Sequence, residues 1–172
     1  MVRTYKKRKY EKEIRPRIKL YKFENLPEDI QNKMIEHEQE FASEIATEDL
    51  SSYANEEIPE LLKREGFKDV SGFELGDWDL YEGILNFDVS FVYKRFGFEY
   101  NKGHLIPFEY GDYSMKEIPD NVYEEAKSKI EHVKSEMLKL MNKSYEASIN
   151  PDNIRNFLIE EGELYDINGD RH

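Results

Sequence analysis

Glu36, Glu40 and Glu44 recur at four-residue spacing, and Asp77, Asp79 and Glu82 crowd a short stretch with Asp88 close behind. On a helix the first three stack along one face, rising about 6 Å per step. Like charges so placed oppose helix formation by roughly 0.2–0.5 kcal/mol per pair. A protein can carry such a cost for a functional anionic surface, with carboxylates held where a nucleic-acid-handling partner receives phosphates, against its Lys and Arg groove. The plainer reading of the same residues is a solvated helix face. Trp78 stands inside the second acidic group; exposed, it would anchor an interface, and buried, it belongs to the core. The opposite sign is concentrated in Lys6, Lys7, Arg8 and Lys9, flanked by Tyr5 and Tyr10. Bases interleaved with stacking rings suit phosphate contacts and base stacking. A solubilising tail, or one that folds back on the acidic body, is the simpler alternative.

Other chemistry finds less support. Asp77-x-Asp79 begins like a calcium loop, but Tyr81 occupies the fifth position, Glu82 stands where the turn glycine belongs and Asp88 falls at the twelfth. His37, His104, His132 and His172 are scattered, with no pair at i,i+4, so neither a zinc site nor a His-based triad is expected. Cysteine is absent, which removes disulfides and thiolate catalysis and fits a reducing compartment. There is no P-loop and no Gly-x-Gly-x-x-Gly. The sequence is read as that of a non-enzymatic protein with no metal and no cofactor.

The charge is strongly partitioned. Residues 1–22 hold ten Lys and Arg against two acids, a net of +8, whereas the remaining 150 residues carry 15 bases against 35 acids, a net of −20. Such a partition selects partners rather than a fold. Aromatics make up 13 % of the chain, too many for a disordered acidic polymer, so residues 17–172 are expected to form one acidic domain behind a flexible basic arm at 1–16. No apolar stretch approaches the roughly 18 residues of a membrane span, and the chain is expected to be soluble and cytoplasmic.

The elements that must position these residues follow from periodicity. Alternation over 17–23 predicts a strand with Ile18, Leu20 and Phe23 inward. Ile30, Met34, His37, Phe41 and Ile45 predict a helix near 27–47, and Ile58, Leu61 and Leu62 a second near 54–66 that ends at Gly66, with Pro59 either in its first turn or delaying its start. Val70, Phe73 and Leu75 predict a short strand and Ile84–Tyr93 a long one, joined by a glycine-bracketed loop, 76–83. A hairpin over 98–110 would turn at Lys102-Gly103. A long helix from Asp120 buries Val122, Ala126, Ile130, Val133, Met137 and Leu140, with a Glu125–Lys129 pair on its wet face. A shorter helix, 151–161, stops at Gly162, and a strand at 163–167 ends in the Asn168-Gly169 turn. The fold class is therefore α+β, a small antiparallel sheet packed with about four helices.

Phe23-Glu24-Asn25-Leu26, Gln31, Lys33, Gly66-Phe67, Gly76-Asp77, Gly83, Tyr165 and Asn168-Gly169-Asp170 follow one another in a distinctive order. In that order the chain resembles small accessory proteins of phages and mobile elements of Gram-positive bacteria, over about two thirds of its length and by spacing more than identity. It departs from them in the loop, where Trp78 and Leu80 replace a small polar run. The resemblance implies genomic company that includes inhibitors of host CRISPR and restriction nucleases, and supplies no catalytic residue. Charge partition and resemblance together lead to the expectation of a phage-encoded, anti-CRISPR-like inhibitor. Its acidic residues Glu36, Glu40, Glu44, Asp77, Asp79 and Glu82, with Trp78 as anchor, would compete for a nuclease's basic groove. The alternative is a nucleic-acid-binding accessory protein using Lys6, Lys7, Arg8 and Lys9.

Overall fold

The structure, a computed structural model, describes residues 18–111 and 118–172, so the expected basic arm with Lys6, Lys7, Arg8 and Lys9 lies outside the described residues. The chain runs through β1 (Tyr21–Lys22), a single 3-10 turn at Phe23–Asn25, α1 (Glu28–Arg64), β2 (Lys68–Asp79), β3 (Ile84–Tyr93), β4 (Phe96–Asn101) and β5 (His104–Phe108). It continues through α2 (Asp120–Ser148), α3 (Pro151–Glu161) and β6 (Leu164–Tyr165). The fold is α+β: among the described residues, three α-helices accompany a four-stranded sheet of order β2-β3-β4-β5 and a two-stranded ribbon, β1-β6, both antiparallel.

The helix count falls below the expected four because the helices foreseen at 27–47 and 54–66 are one, α1, of 37 residues. At roughly 1.5 Å per residue it is about 55 Å long. Pro59 lies inside it, where a proline removes one backbone hydrogen bond and costs about 3 kcal/mol. Ile58 and Leu62 beside it are fully buried, each worth roughly 1.5–3 kcal/mol, and this packing outweighs the break. The inward face also differs from the expected one. Ile35, Ala46, Leu50 and Ala54 are buried, whereas Phe41 and Ile45 are exposed.

The strands correct the picture at both ends. Residues 18–20 are not strand, Ile18 and Leu20 are exposed, and only Phe23 of the expected inward set is buried. β2 extends through Gly76 to Asp79, so the expected loop contracts to a turn at 80–83. There the Asp79 carboxylate accepts the backbone N–H groups of Tyr81 (2.8 Å) and Glu82 (2.9 Å). β3 buries Leu85, Phe87, Val89, Phe91 and Tyr93 on one face, the period-2 pattern of a half-covered antiparallel strand. The hairpin at Lys102-Gly103 forms as expected. Gly97 is required by close packing: a Cβ there would meet the Phe108 ring at 2.6 Å.

α2 buries Val122, Ala126, Ile130, Val133 and Met137 as predicted, but Met141 takes the buried place expected for Leu140, which is only half-buried. Asn150 caps α3 by accepting from Asp152 N (2.9 Å) and Asn153 N (3.2 Å), and Gly162 ends it in the left-handed conformation at φ 66°. The Asn168-Gly169 turn is held by the Asp166 carboxylate, which accepts from Asn168 N at 2.8 Å and Asp170 N at 3.2 Å.

Two apolar clusters result. The larger joins α1 from Leu50 onward, the inner face of the four-stranded sheet and α2. The smaller gathers Phe23, Leu26, Ile35, Ile154, Leu158 and Tyr165. α1 contributes to both.

Candidate functional site

Between Lys33 and Lys63, α1 carries nine carboxylates and not one Lys or Arg. Its only ionisable group of the other sign there is His37. Glu57 and Glu60 pair with Arg64 and Lys63 at the helix end. Among the described residues, Glu36, Glu38, Glu40, Glu44, Glu48, Asp49 and Glu56 form no ion pair. Unpaired charges along one rod sum into a directed field.

Glu36, Glu40 and Glu44 are brought together as their spacing required. All three are exposed and line one open groove of about 680 Å³, with Gln39, Ser43, Tyr145 and Ile149. Two cross-links fix its floor: Gln39 Nε2 donates to the Ile149 carbonyl at 2.8 Å, and Ser43 Oγ and Tyr145 Oη share a hydrogen bond at 3.0 Å. The carboxylates therefore sit on a surface that α1 and the end of α2 hold in register. The sequence showed the stripe but not its partners, because contacts more than a hundred residues apart leave no local period.

The second acidic group is divided. Asp77, Asp79 and Glu82 are exposed, but Asp79 is committed to its turn. Trp78 faces the other way, half-buried against the larger core, with Nε1 donating to Ser51 Oγ on α1 at 3.2 Å. Adjacent residues of a strand point to opposite faces, so Trp78 is not beside the carboxylates as a loop would have allowed. What the sequence reading missed is an acidic row on the outer face of the sheet. Glu74 lies directly across from Asp88, and Glu99 projects from β4 on the same face opposite Ser90. Asp77 and Asp88 line a shallow recess with Lys102, whose backbone N–H donates to Asp88 at 3.0 Å. The signal was present in the alternation of β3 and β4, where every residue between the buried ones is polar or small up to Val92.

A third cluster contains the most perturbed group. Tyr93 Oη donates to Glu125 Oε1 at 2.5 Å, and Lys94 pairs with the other oxygen of the same carboxylate. Burial first, and then the Glu125 carboxylate, push the Tyr93 hydroxyl up to about 12. The hydrogen bond from Lys94, followed by that from Tyr93, holds Glu125 below the usual carboxylate range. Lys129 turns away from the expected Glu125 partner and binds Glu65 Oε2 (3.0 Å) and the Glu65 carbonyl (2.9 Å), with His132 at 3.5 Å from the same carboxylate. This network joins the end of α1, the end of β3 and α2, and its role is to lock them.

Among the described residues, no three of His, Asp and Glu are grouped to hold a metal ion, and no helix is long and apolar enough to cross a membrane. No protein-family model matches the chain, and neither a curated protein nor a solved structure is significantly similar to it.

Proposed function

We propose that this protein acts by binding, presenting the carboxylates of α1 to a basic nucleic-acid groove of a bacterial defence nuclease, and that it is phage-encoded and anti-CRISPR-like. The observation that carries the reading is the unpaired state of the stripe: Glu36, Glu40 and Glu44 line one exposed groove with no cation of the described residues neutralising them. Charges kept unpaired on an ordered helix remain available to a partner's Lys and Arg, steer encounter and make association salt-dependent. Glu74, Asp77, Asp88 and Glu99 form a second anionic patch on the outer sheet face, the side away from α1, with Glu82 in the adjoining turn.

The test is inhibition of guide-directed DNA cleavage by a panel of CRISPR effector nucleases at low salt. The expected result is inhibition of at least one nuclease, weakened by added salt and reduced on the order of tenfold or more by Glu36→Lys/Glu40→Lys/Glu44→Lys, since close charge pairs across interfaces contribute about 1.5–7 kcal/mol. Equal inhibition by the charge-reversed variant, or none at any salt concentration, would overturn the proposal. Loss of inhibition on replacing Lys6, Lys7, Arg8 and Lys9 with Ser, with the charge-reversed variant still active, would transfer the function to the basic segment.

A further inference from the structure

A separate groove, of about 420 Å³, opens between α1, the end of α2 and α3, and its walls are apolar: Phe41, Ala42 and Ile45, Ala147, Ile154 and Phe157. Phe41 is 54 % exposed, Phe157 52 % and Ile45 43 %. Large apolar side chains converging on one open concavity mark a docking surface. The ionisable groups at its edge, among the described residues, are Glu38 and Asp49, in the part of α1 that has no Lys or Arg. The occupant that fits is apolar in its contacts and positive in charge. A second copy of the chain brings a net charge of −12 and is disfavoured by repulsion.

The complementary chemistry lies in the same polypeptide. Residues 1–17 carry eight Lys and Arg against two acids, with Val2, Tyr5, Tyr10 and Ile14 between them. The described chain begins at Ile18, and Phe23 and Leu26 soon after it pack in one cluster with Ile154. Ile154 also lines the groove, so Phe23 and Leu26 pack on the helix that forms one of the groove walls. Seventeen residues span up to about 56 Å when extended, whereas the 11 residues of α3 measure about 16 Å. Reach is therefore no constraint, and tethering raises the local concentration toward the millimolar range, at which a few weak contacts suffice.

We propose that residues 1–17 dock in cis into this groove, their Tyr and Ile side chains against Phe41, Ile45 and Phe157 and their bases beside Glu38 and Asp49, as an internal occupant that any external partner must displace. This goes beyond the competition with a nuclease and does not depend on it. The test uses the full chain, whose lack of cysteine allows Thr4→Cys to carry a nitroxide label. The expected result is severalfold stronger paramagnetic broadening of the amide signals of 41–49 and 153–157 than of those of β3 and β4. It should be lost in Phe41→Ser/Phe157→Ser, whose unchanged sheet signals report an intact fold. Even broadening over the whole surface, or broadening centred on the Glu36, Glu40 and Glu44 groove, would overturn the proposal. So would broadening that appears only between a labelled chain and an unlabelled isotope-enriched one, which would assign the groove to a second copy.

Discussion

Tyr93 shows how one side chain can make stability depend on pH. Its hydroxyl is neutral in the fold, buried, and donated to Glu125, with its titration pushed from an ordinary value near 10 to about 12. A raised folded value means that the stabilisation is complete below the unfolded titration near 10 and is lost as pH rises through 12. Urea unfolding followed from pH 9 to 12 should show Tyr93→Phe losing less stability over that window than the parent, by an amount on the order of 2 kcal/mol. Equal slopes would place the alkaline loss elsewhere. The sequence offered no hint of this residue, because the groups that act on it, Glu125 on α2 and Glu65 at the end of α1, are distant from it in the chain. Trp78 was legible only as an alternative between anchor and core. Reading 76–83 as a loop hid the alternation that sends Trp78 inward to Ser51 and Asp77 outward. By contrast, the spacing of Glu36, Glu40 and Glu44 was sufficient, since a helix converts that spacing into a face without help from tertiary contacts.

α1 is the element that local rules described least well. Two separate apolar sets, one ending at Ile45 and one beginning at Ile58, were read as two helices, yet the helix is continuous because Leu50, Ala54, Ile58 and Leu62 meet the sheet and α2. Along one face, Thr47 donates to the Ser43 carbonyl (3.4 Å), Ser51 to that of Thr47 (3.1 Å) and Asn55 to that of Ser51 (2.9 Å). Pro59 stands next in the same four-residue series. Side chains bonded to the carbonyl four residues earlier tend to bend a helix, and a bend at this point would give the proline ring room. Pro59→Ala should restore one backbone bond and raise the unfolding free energy by about 1–3 kcal/mol, read from the urea midpoint at unchanged slope. A loss of stability would mean that the bend is needed for packing. α2, α3 and the β4–β5 hairpin were legible because each carries its own period and stop: a clean apolar stripe, an Asn-Pro start with a Gly end, and a Lys-Gly turn. The short strands β1 and β6 were foreseen as longer ones, since two paired residues on each side leave little pattern to read.

At the scale of the whole molecule, the balance of charge is unfavourable to its own fold. The −20 carried by residues 23–172 includes the repeated like-charge spacing of α1, each pair of which costs roughly 0.2–0.5 kcal/mol. Screening should relieve part of this. Raising sodium chloride from about 10 mM to 0.5 M shortens the screening length from about 30 Å to below 8 Å and is expected to raise Tm. A flat or falling Tm would show that the exposed ion pairs of α2 and the C-terminal turn outweigh the repulsion. The placement of α1 has a different consequence. One helix is the shared spine of two unequal cores, anchored by Ile35 in the small one and by Leu50 through Leu62 in the large one, with exposed Phe41 and Ile45 between them. The molecule is thus built as a heavy head and a light tail on a common shaft, and the tail, closed by six buried residues, is expected to exchange its amide protons through an opening that leaves the head folded.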